Sequence, residues 1–208
     1  DQQLAVLDRR TKSEEELAHL REAQAVTEEA MEFACRTICA ATPDAEGILR
    51  DGDTVLTSEL MRQRITSFLI GKNCSNHHDS IVVTVPHVAD CHHHGTGPLR
   101  TGLPVIVDIF PRVNATGYWG DCTRTAVNGE PSREIAQMHA AVVKAKADAI
   151  QALRVGTTGD DVHRATVASI TGSGYVMGLP PEGAPEDFSS MRHGTGHGIC
   201  LLYTSPSP

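Results

Sequence analysis

The chain predicts an α+β fold, with helices and antiparallel strands in separate runs rather than in strict alternation. Three observations predict it. Four segments carry apolar residues at helical spacing behind N-terminal capping residues. β-branched runs lie between the second and third of these segments. The order helix, helix, strands is then followed by helix, helix and a glycine-rich stretch, which reads as two similar units in tandem, the second incomplete.

The first helix opens at Ser13-Glu14-Glu15-Glu16. Ser13 and Glu16 have the spacing of a capping box, and three acids suit the positive end of the helix dipole. It should run to about Ala41, stopped by Thr42-Pro43. Leu17, Leu20, Ala23, Met31, Ala34 and Ile38 form its apolar stripe. Residues 44–53, rich in acids and glycine, read as a loop. The second helix runs from Thr57 or Ser58 to about Ile70, with Leu60, Ile65, Phe68 and Leu69 inward and Arg62 and Arg64 solvated. After a polar loop at 72–79, residues 80–85 (SIVVTV) read as a strand. The next segment, PHVADCHHHGTGPLRTG, is a long loop, and loops of that length are often functional. Further on, Asn128-Gly129 signals a turn. A third helix follows over 132–154, with Ile135, Met138, Ala141, Val142, Ala145, Ala149, Ile150 and Leu153 at helical spacing and Gly156 at its end. The fourth helix starts at Thr158-Gly159-Asp160-Asp161 and reaches about Thr171; 172–190 is a loop.

The stretch at 104–127, PVIVDIFPRVNATGYWGDCTRTAV, organises the rest. Val105-Ile106-Val107 is a β-branched run, 111–117 is turn-like, and Tyr118 to Val127 is again strand-like. A β-hairpin follows. Side chains alternate faces along a strand, so Asp108 shares a face with Ile106 and Phe110, and Asp121 with Thr123 and Thr125. Folding near 112–116 brings Asp108 and Asp121 level. Two carboxylates facing one another need a proton or a cation between them, and one or two divalent cations fit. The plainer alternative is two unrelated aspartates at turn edges. A distant stretch, His193-Gly194-Thr195-Gly196-His197-Gly198, adds two imidazoles. Its histidines have helical metal-pair spacing, but its glycines argue for a strand edge or loop close to a ligand.

The chain has 208 residues, 40% of them apolar and 21% charged, which fits one soluble domain with a substantial core. A net charge of -8 argues against nucleic-acid phosphates as partners. No apolar run approaches transmembrane length. No secretory signal is visible and the first residue is Asp1. The expectation is a fragment or trimmed product, cytoplasmic, with no membrane partner and with a homo-oligomer left open. The six cysteines are irregularly spaced, which points to reduced thiols rather than a disulfide framework.

GYWGDCTRT at 117–125 and HGTGHG at 193–198, preceded by VDIF, resemble the pita-bread metallopeptidase family. That family includes aminopeptidase P, prolidase, methionine aminopeptidase and the metal-free creatinase. The resemblance covers about 13–200 and is nearest the Xaa-Pro aminopeptidase and prolidase branch. It divides the chain into a linker at 1–12, an incomplete catalytic domain at 13–200 and a non-family tail at 201–208. It implies a curved antiparallel sheet backed by helices, in two pseudo-symmetric halves. By resemblance, Asp108 binds one metal with both oxygens, Asp121 bridges two metals, and His197 binds the other. Two further glutamates, one of them the general base, would lie on later strands that are not in the sequence. Thr204 stands where the family has a histidine-acid pair, so the chain is expected to be truncated and inactive alone.

The ions would be Mn²⁺, Co²⁺, Fe²⁺ or Zn²⁺, and the implied reaction is attack of an activated hydroxide on a peptide carbonyl beside proline. His92 corresponds to a family histidine that binds substrate or the tetrahedral intermediate, and His193 to one that contacts substrate. Thr123 and Thr125 would support the metal-binding carboxylates, and Arg124 would pair with an acid. Two alternatives remain at this point. One is a binding module, or a metal-free creatinase-like hydrolase, on the same fold. The other is a structural zinc site at Cys74, His77, Cys91 and His92.

Overall fold

The computed structural model describes residues 11–179, 181–184, 188, 190, 191 and 193–201. The expected linker at 1–12 and tail at 201–208 therefore fall almost wholly outside the described residues. The described chain forms two compact units. The first holds residues up to Glu130 together with those from Gly198 onward; the second is Pro131–His197.

In the first unit, helix α1 (Glu14–Ala40) begins at Ser13, whose hydroxyl accepts from the Glu16 N–H while Glu16 accepts from the Ser13 N–H. This is the capping box expected from the sequence. Its buried row is Ala23, Thr27, Ala30, Met31, Ala34 and Ile38. Thr27 is tolerated there because its hydroxyl donates to the Ala23 carbonyl at 2.8 Å. Residues 44–53 are not a simple loop. They belong to a small antiparallel sheet, β1 (Thr42–Pro43), β2 (Leu49–Asp51) and β3 (Thr54–Val55). Strands this short, with only Leu49 fully buried, leave no periodicity for a sequence reading to detect.

Helix α2 (Ser58–Gly71) is capped by Thr57 and buries Met61, Ile65 and Leu69. Arg62 is not solvated as expected: its side chain is only 15% exposed. Its Nε pairs with Asp79 at 3.1 Å, and its Nη1 donates to the carbonyls of His94 and Gly95, both at 2.7 Å. Arg64 likewise pairs with Asp51.

The central sheet is β5 (Ile81–Thr84), β6 (Pro104–Ile109) and β8 (Cys122–Val127), in that order and antiparallel throughout. A smaller ladder pairs β4 (Cys74–Ser75) with β7 (Arg112–Val113). Along β6, Val105, Val107 and Ile109 are buried while Pro104, Ile106 and Asp108 are half-buried. The core formed by the α1 row, the α2 row and this inward face of β6 is aliphatic. Each fully buried Leu, Ile or Val there contributes roughly 1.5–3 kcal/mol.

In the second unit, α3 (Arg133–Ala152) packs on α4 (Gly159–Gly172), capped by Ser132 and Thr158 respectively. Only the alanine row of α3, Ala141, Ala145 and Ala149, is buried. Met138, Val142, Ile150 and Leu153, expected inward, are exposed. The helical spacing was right; the alanine row alone provides the close approach that a neighbouring helix needs. Among the described residues no helix is long and apolar enough to cross a membrane.

Candidate functional site

The register of the hairpin fixes the two aspartates. Ile109 pairs with Cys122 and Asp108 with Thr123, and beyond a short break Arg112 bridges Trp119 in the same register. Phe110 therefore stands opposite Asp121. Asp108 and Asp121 are not level, as expected, but diagonal. The turn lies at 114–116, closed by Gly117 at φ +79°, about one residue later than the sequence suggested. A shift of one residue in the turn centre moves the register by two, and two is the period of a strand, so both carboxylates keep the same face. Diagonal neighbours of this kind are roughly 7–8 Å apart at Cα.

Each aspartate is positioned by elements far away in sequence. Thr123 donates to Asp108 Oδ1 at 2.5 Å. The Asp121 N–H donates to Gln24 Oε1 on α1 at 3.2 Å. Gly120 lets the strand lie this close to α1: a Cβ at that position would sit 2.0 Å from Thr27 Oγ1 and 2.5 Å from the Ala23 carbonyl oxygen. No larger residue fits. Trp119, on the other side of Gly120, donates through its main-chain N–H to Cys200 and through Nε1 to Leu201, each at 3.1 Å. Cys122 points into the core, away from the carboxylate face, and burial pushes its thiol up.

The remaining predicted residues are placed as follows. His92 is exposed in the 86–102 loop, with its N–H on Asp90 Oδ1 and its ring 3.9 Å from Cys91 Sγ. His193 and His197 are exposed and belong to the second unit. There, Thr195 of the glycine-rich stretch is held by His163 of α4, with Oγ1 and Nδ1 2.9 Å apart. His163, Gln24 and Gly120 were all missed from sequence, since each acts through a partner distant along the chain.

Among the described residues Arg124 has no acid partner; its guanidinium donates to the Thr123 carbonyl. The zinc alternative fails on geometry. Cys74 is buried with its thiol on the Lys72 carbonyl, Cys91 and His92 are exposed, and His77 lies against Trp119. Among the described residues no group of three His, Cys, Asp or Glu could hold a metal ion. Asp108 and Asp121 bring two carboxylates to one face of the hairpin. Hard carboxylate oxygens on one face, one of them oriented by a hydroxyl, fit a divalent cation.

Residues 18–207 match the family model of metallopeptidase family M24. The chain belongs to that family. Its fold is the pita-bread fold expected from the resemblance. An Xaa-Pro aminopeptidase from Thermotoga maritima superposes with a TM-score of 0.71 at 22% identity, covering 91% of this chain and 47% of that one. The dipeptidase PepE of Mycobacterium ulcerans gives a TM-score of 0.70 at 25% identity, over 94% of this chain and 46% of that one. A probable dipeptidase PepE from Mycobacterium tuberculosis is 36% identical over 122 residues, which is 58% of this chain and 29% of that protein. This M24 chain spans about half the length of the solved relatives and about three tenths of the curated one.

Proposed function

We propose that this M24 chain is part of a metal-dependent peptidase that removes an N-terminal residue or splits a dipeptide beside proline. One observation carries the reading: the hairpin register puts Asp108 and Asp121 on the same face, with Thr123 holding the first carboxylate. Family membership and the peptidases among its relatives support it.

In this reading Asp108 and Asp121 hold two divalent ions, Mn²⁺, Co²⁺, Fe²⁺ or Zn²⁺, with His197 as a further ligand. Such ions lower the pKa of water and polarise a peptide carbonyl when bound. The work of the chain is positional. Thr123 sets the rotation of the Asp108 carboxylate, Gln24 and Gly120 set the height of Asp121 above the sheet, and His163 orients the loop that carries His193 and His197. His92 and His193 contact the substrate. The protein works in the cytoplasm in this reading.

The test compares Mn²⁺-dependent hydrolysis of an Xaa-Pro peptide by a full-length version of the protein and by its Asp121→Asn variant. The variant should lose activity by orders of magnitude. Equal turnover would sink the assignment.

A further inference from the structure

Three sulfur-bearing residues line one stripe of α1, away from the carboxylate pair: Met31, Cys35 and Cys39, each four positions after the last. The Cys35 thiol donates to Met31 Sδ at 3.7 Å. Cys39 occupies the next turn, with its thiol 3.7 Å from the Val127 carbonyl at the end of β8. Burial falls along the stripe: Met31 is buried, Cys35 is half-buried and Cys39 is exposed. Solvent therefore reaches the stripe at Cys39, and the thioether closes its inner end. Val127 comes six residues after Asp121, roughly 20 Å along an extended strand, so the stripe is separate from the candidate site.

The two thiols do not form a disulfide, because the helix holds them too far apart. Helical neighbours four apart have Cβ atoms about 5–6 Å from each other, whereas a disulfide needs roughly 3.8 Å. An ion spans a gap that a bond does not. A metal–sulfur bond of about 2.3 Å, applied to sulfurs 3.7 Å apart, gives an angle of about 107° at the metal, near the tetrahedral value. Met31 and Cys35 thus already stand in chelating geometry. The donors select the ion. Thiol and thioether are soft, and together they suit Cu(I) rather than a hard divalent cation. Among the described residues no group of three His, Cys, Asp or Glu could hold a metal ion, so a divalent metal has no such set here. The charge also fits. Two thiolates around one Cu(I) carry one net negative charge, and Arg124 acts on Cys35 in the sense that favours its thiolate, against the larger effect of burial.

We infer that Met31, Cys35 and Cys39 form a binding site for one Cu(I) ion. The ion takes the place of the proton that Cys35 directs at Met31, and Cys39 turns from the Val127 carbonyl to complete the set. Two S–H bonds break, two thiolate–copper bonds form, and the Met31 sulfur adds a third. Both protons pass to solvent. Copper stays in the +1 state, so no oxidant or reductant is consumed. The inference does not depend on the peptidase reading.

The test is transfer of Cu(I) from its coloured bicinchoninate complex to the 208-residue chain, without air and without a thiol reductant. The chain should withdraw one equivalent. Cys39→Ser is an exposed change that leaves the core intact, and it should abolish the transfer; Cys35→Ser should do the same. Met31→Leu keeps the apolar volume and should weaken binding about tenfold or more. Cys91→Ser removes the other exposed thiol and should change nothing. Far-UV circular dichroism of each variant should match the parent. X-ray absorption of the copper-loaded chain should show only sulfur neighbours, at about 2.3 Å. Copper that stays on the chelator in the presence of the parent would overturn the inference. So would transfer that survives in Cys39→Ser, transfer lost in Cys91→Ser, an affinity unmoved by Met31→Leu, or nitrogen bound to the copper.

Discussion

Thr123 stands directly across the strand pair from Asp108 and donates a 2.5 Å hydrogen bond to its Oδ1. A carboxylate in a metal site must present its oxygens at a set angle, and a neighbouring hydroxyl that fixes its rotation provides this. Thr123→Val keeps the β-branched shape and deletes only the hydroxyl. In the metal reading, Mn²⁺ affinity should fall about 10–100-fold, measured by calorimetric titration. Thr123→Ser should recover most of the loss. An affinity for Mn²⁺ unchanged in Thr123→Val would mean the bond has no part in holding the ion.

Asn128 illustrates a second kind of positioning. Its side-chain amide, buried, lies within donor range of the carbonyls of Ile38, Cys39 and Ala41, at 3.1, 3.1 and 2.8 Å. These carbonyls lie at the end of α1, where intrahelical donors run out. The same residue directly follows β8, so one amide ties the long helix to the strand that follows Asp121. Asn128→Ala should cost about 2 kcal/mol, since it strands buried acceptors. Asn128→Asp should cost more, because a carboxylate would then face three carbonyls. Urea unfolding of the three proteins checks the order.

Much of this arrangement was legible in the sequence. The four helices were found because each begins with a capping hydroxyl followed by apolar residues at helical spacing, and the hairpin because β-branched runs flank a turn ending in Gly117. The shared face of Asp108 and Asp121 could be read because it depends only on parity, which a two-residue register error leaves intact. Arg62 could not be read, since nothing near it in sequence reveals that Asp79 and the carbonyls at 94 and 95 will meet it. Gln24 and Gly120 were hidden for the same reason: their partners lie about a hundred residues away, and only the packed fold shows that the strand must pass within contact of α1.

The cysteines allow a direct check of the packing. All six are free: Cys39 and Cys91 are exposed, Cys35 is intermediate, and Cys74, Cys122 and Cys200 are buried. Burial also pushes the thiols of Cys35, Cys74 and Cys122 up, which lowers their thiolate fraction further. Brief alkylation at neutral pH, followed by mass spectrometry, should label Cys39 and Cys91 first and Cys35 more slowly. The three buried thiols should react only after denaturant is added. Early labelling of Cys122 would mean that β8 is not packed on α1 as described.

Glu16 and Tyr118 make one contact sensitive to pH from both sides. Glu16 accepts from the Ser13 N–H at 2.8 Å and from the Tyr118 hydroxyl at 3.1 Å. The first of these chiefly, then the second, holds its carboxyl below the usual range. A carboxyl lowered on folding stabilises the native state above its unfolded pKa, about 4.3, and that contribution is lost as pH falls through the folded value. Burial chiefly, then the bond to Glu16, pushes the Tyr118 hydroxyl up. For a group raised on folding the sign reverses: the contribution is complete below the unfolded pKa, about 10, and is lost as pH rises through the folded value. The thermal midpoint of the parent should therefore exceed that of Glu16→Gln most around neutral pH, and the gap should narrow below about pH 4. Tyr118→Phe should show its deficit at neutral pH and approach the parent above about pH 10. Gaps that stay constant from pH 3 to pH 11 would show that the tie between the first turn of α1 and the strand before Asp121 makes no contribution to stability.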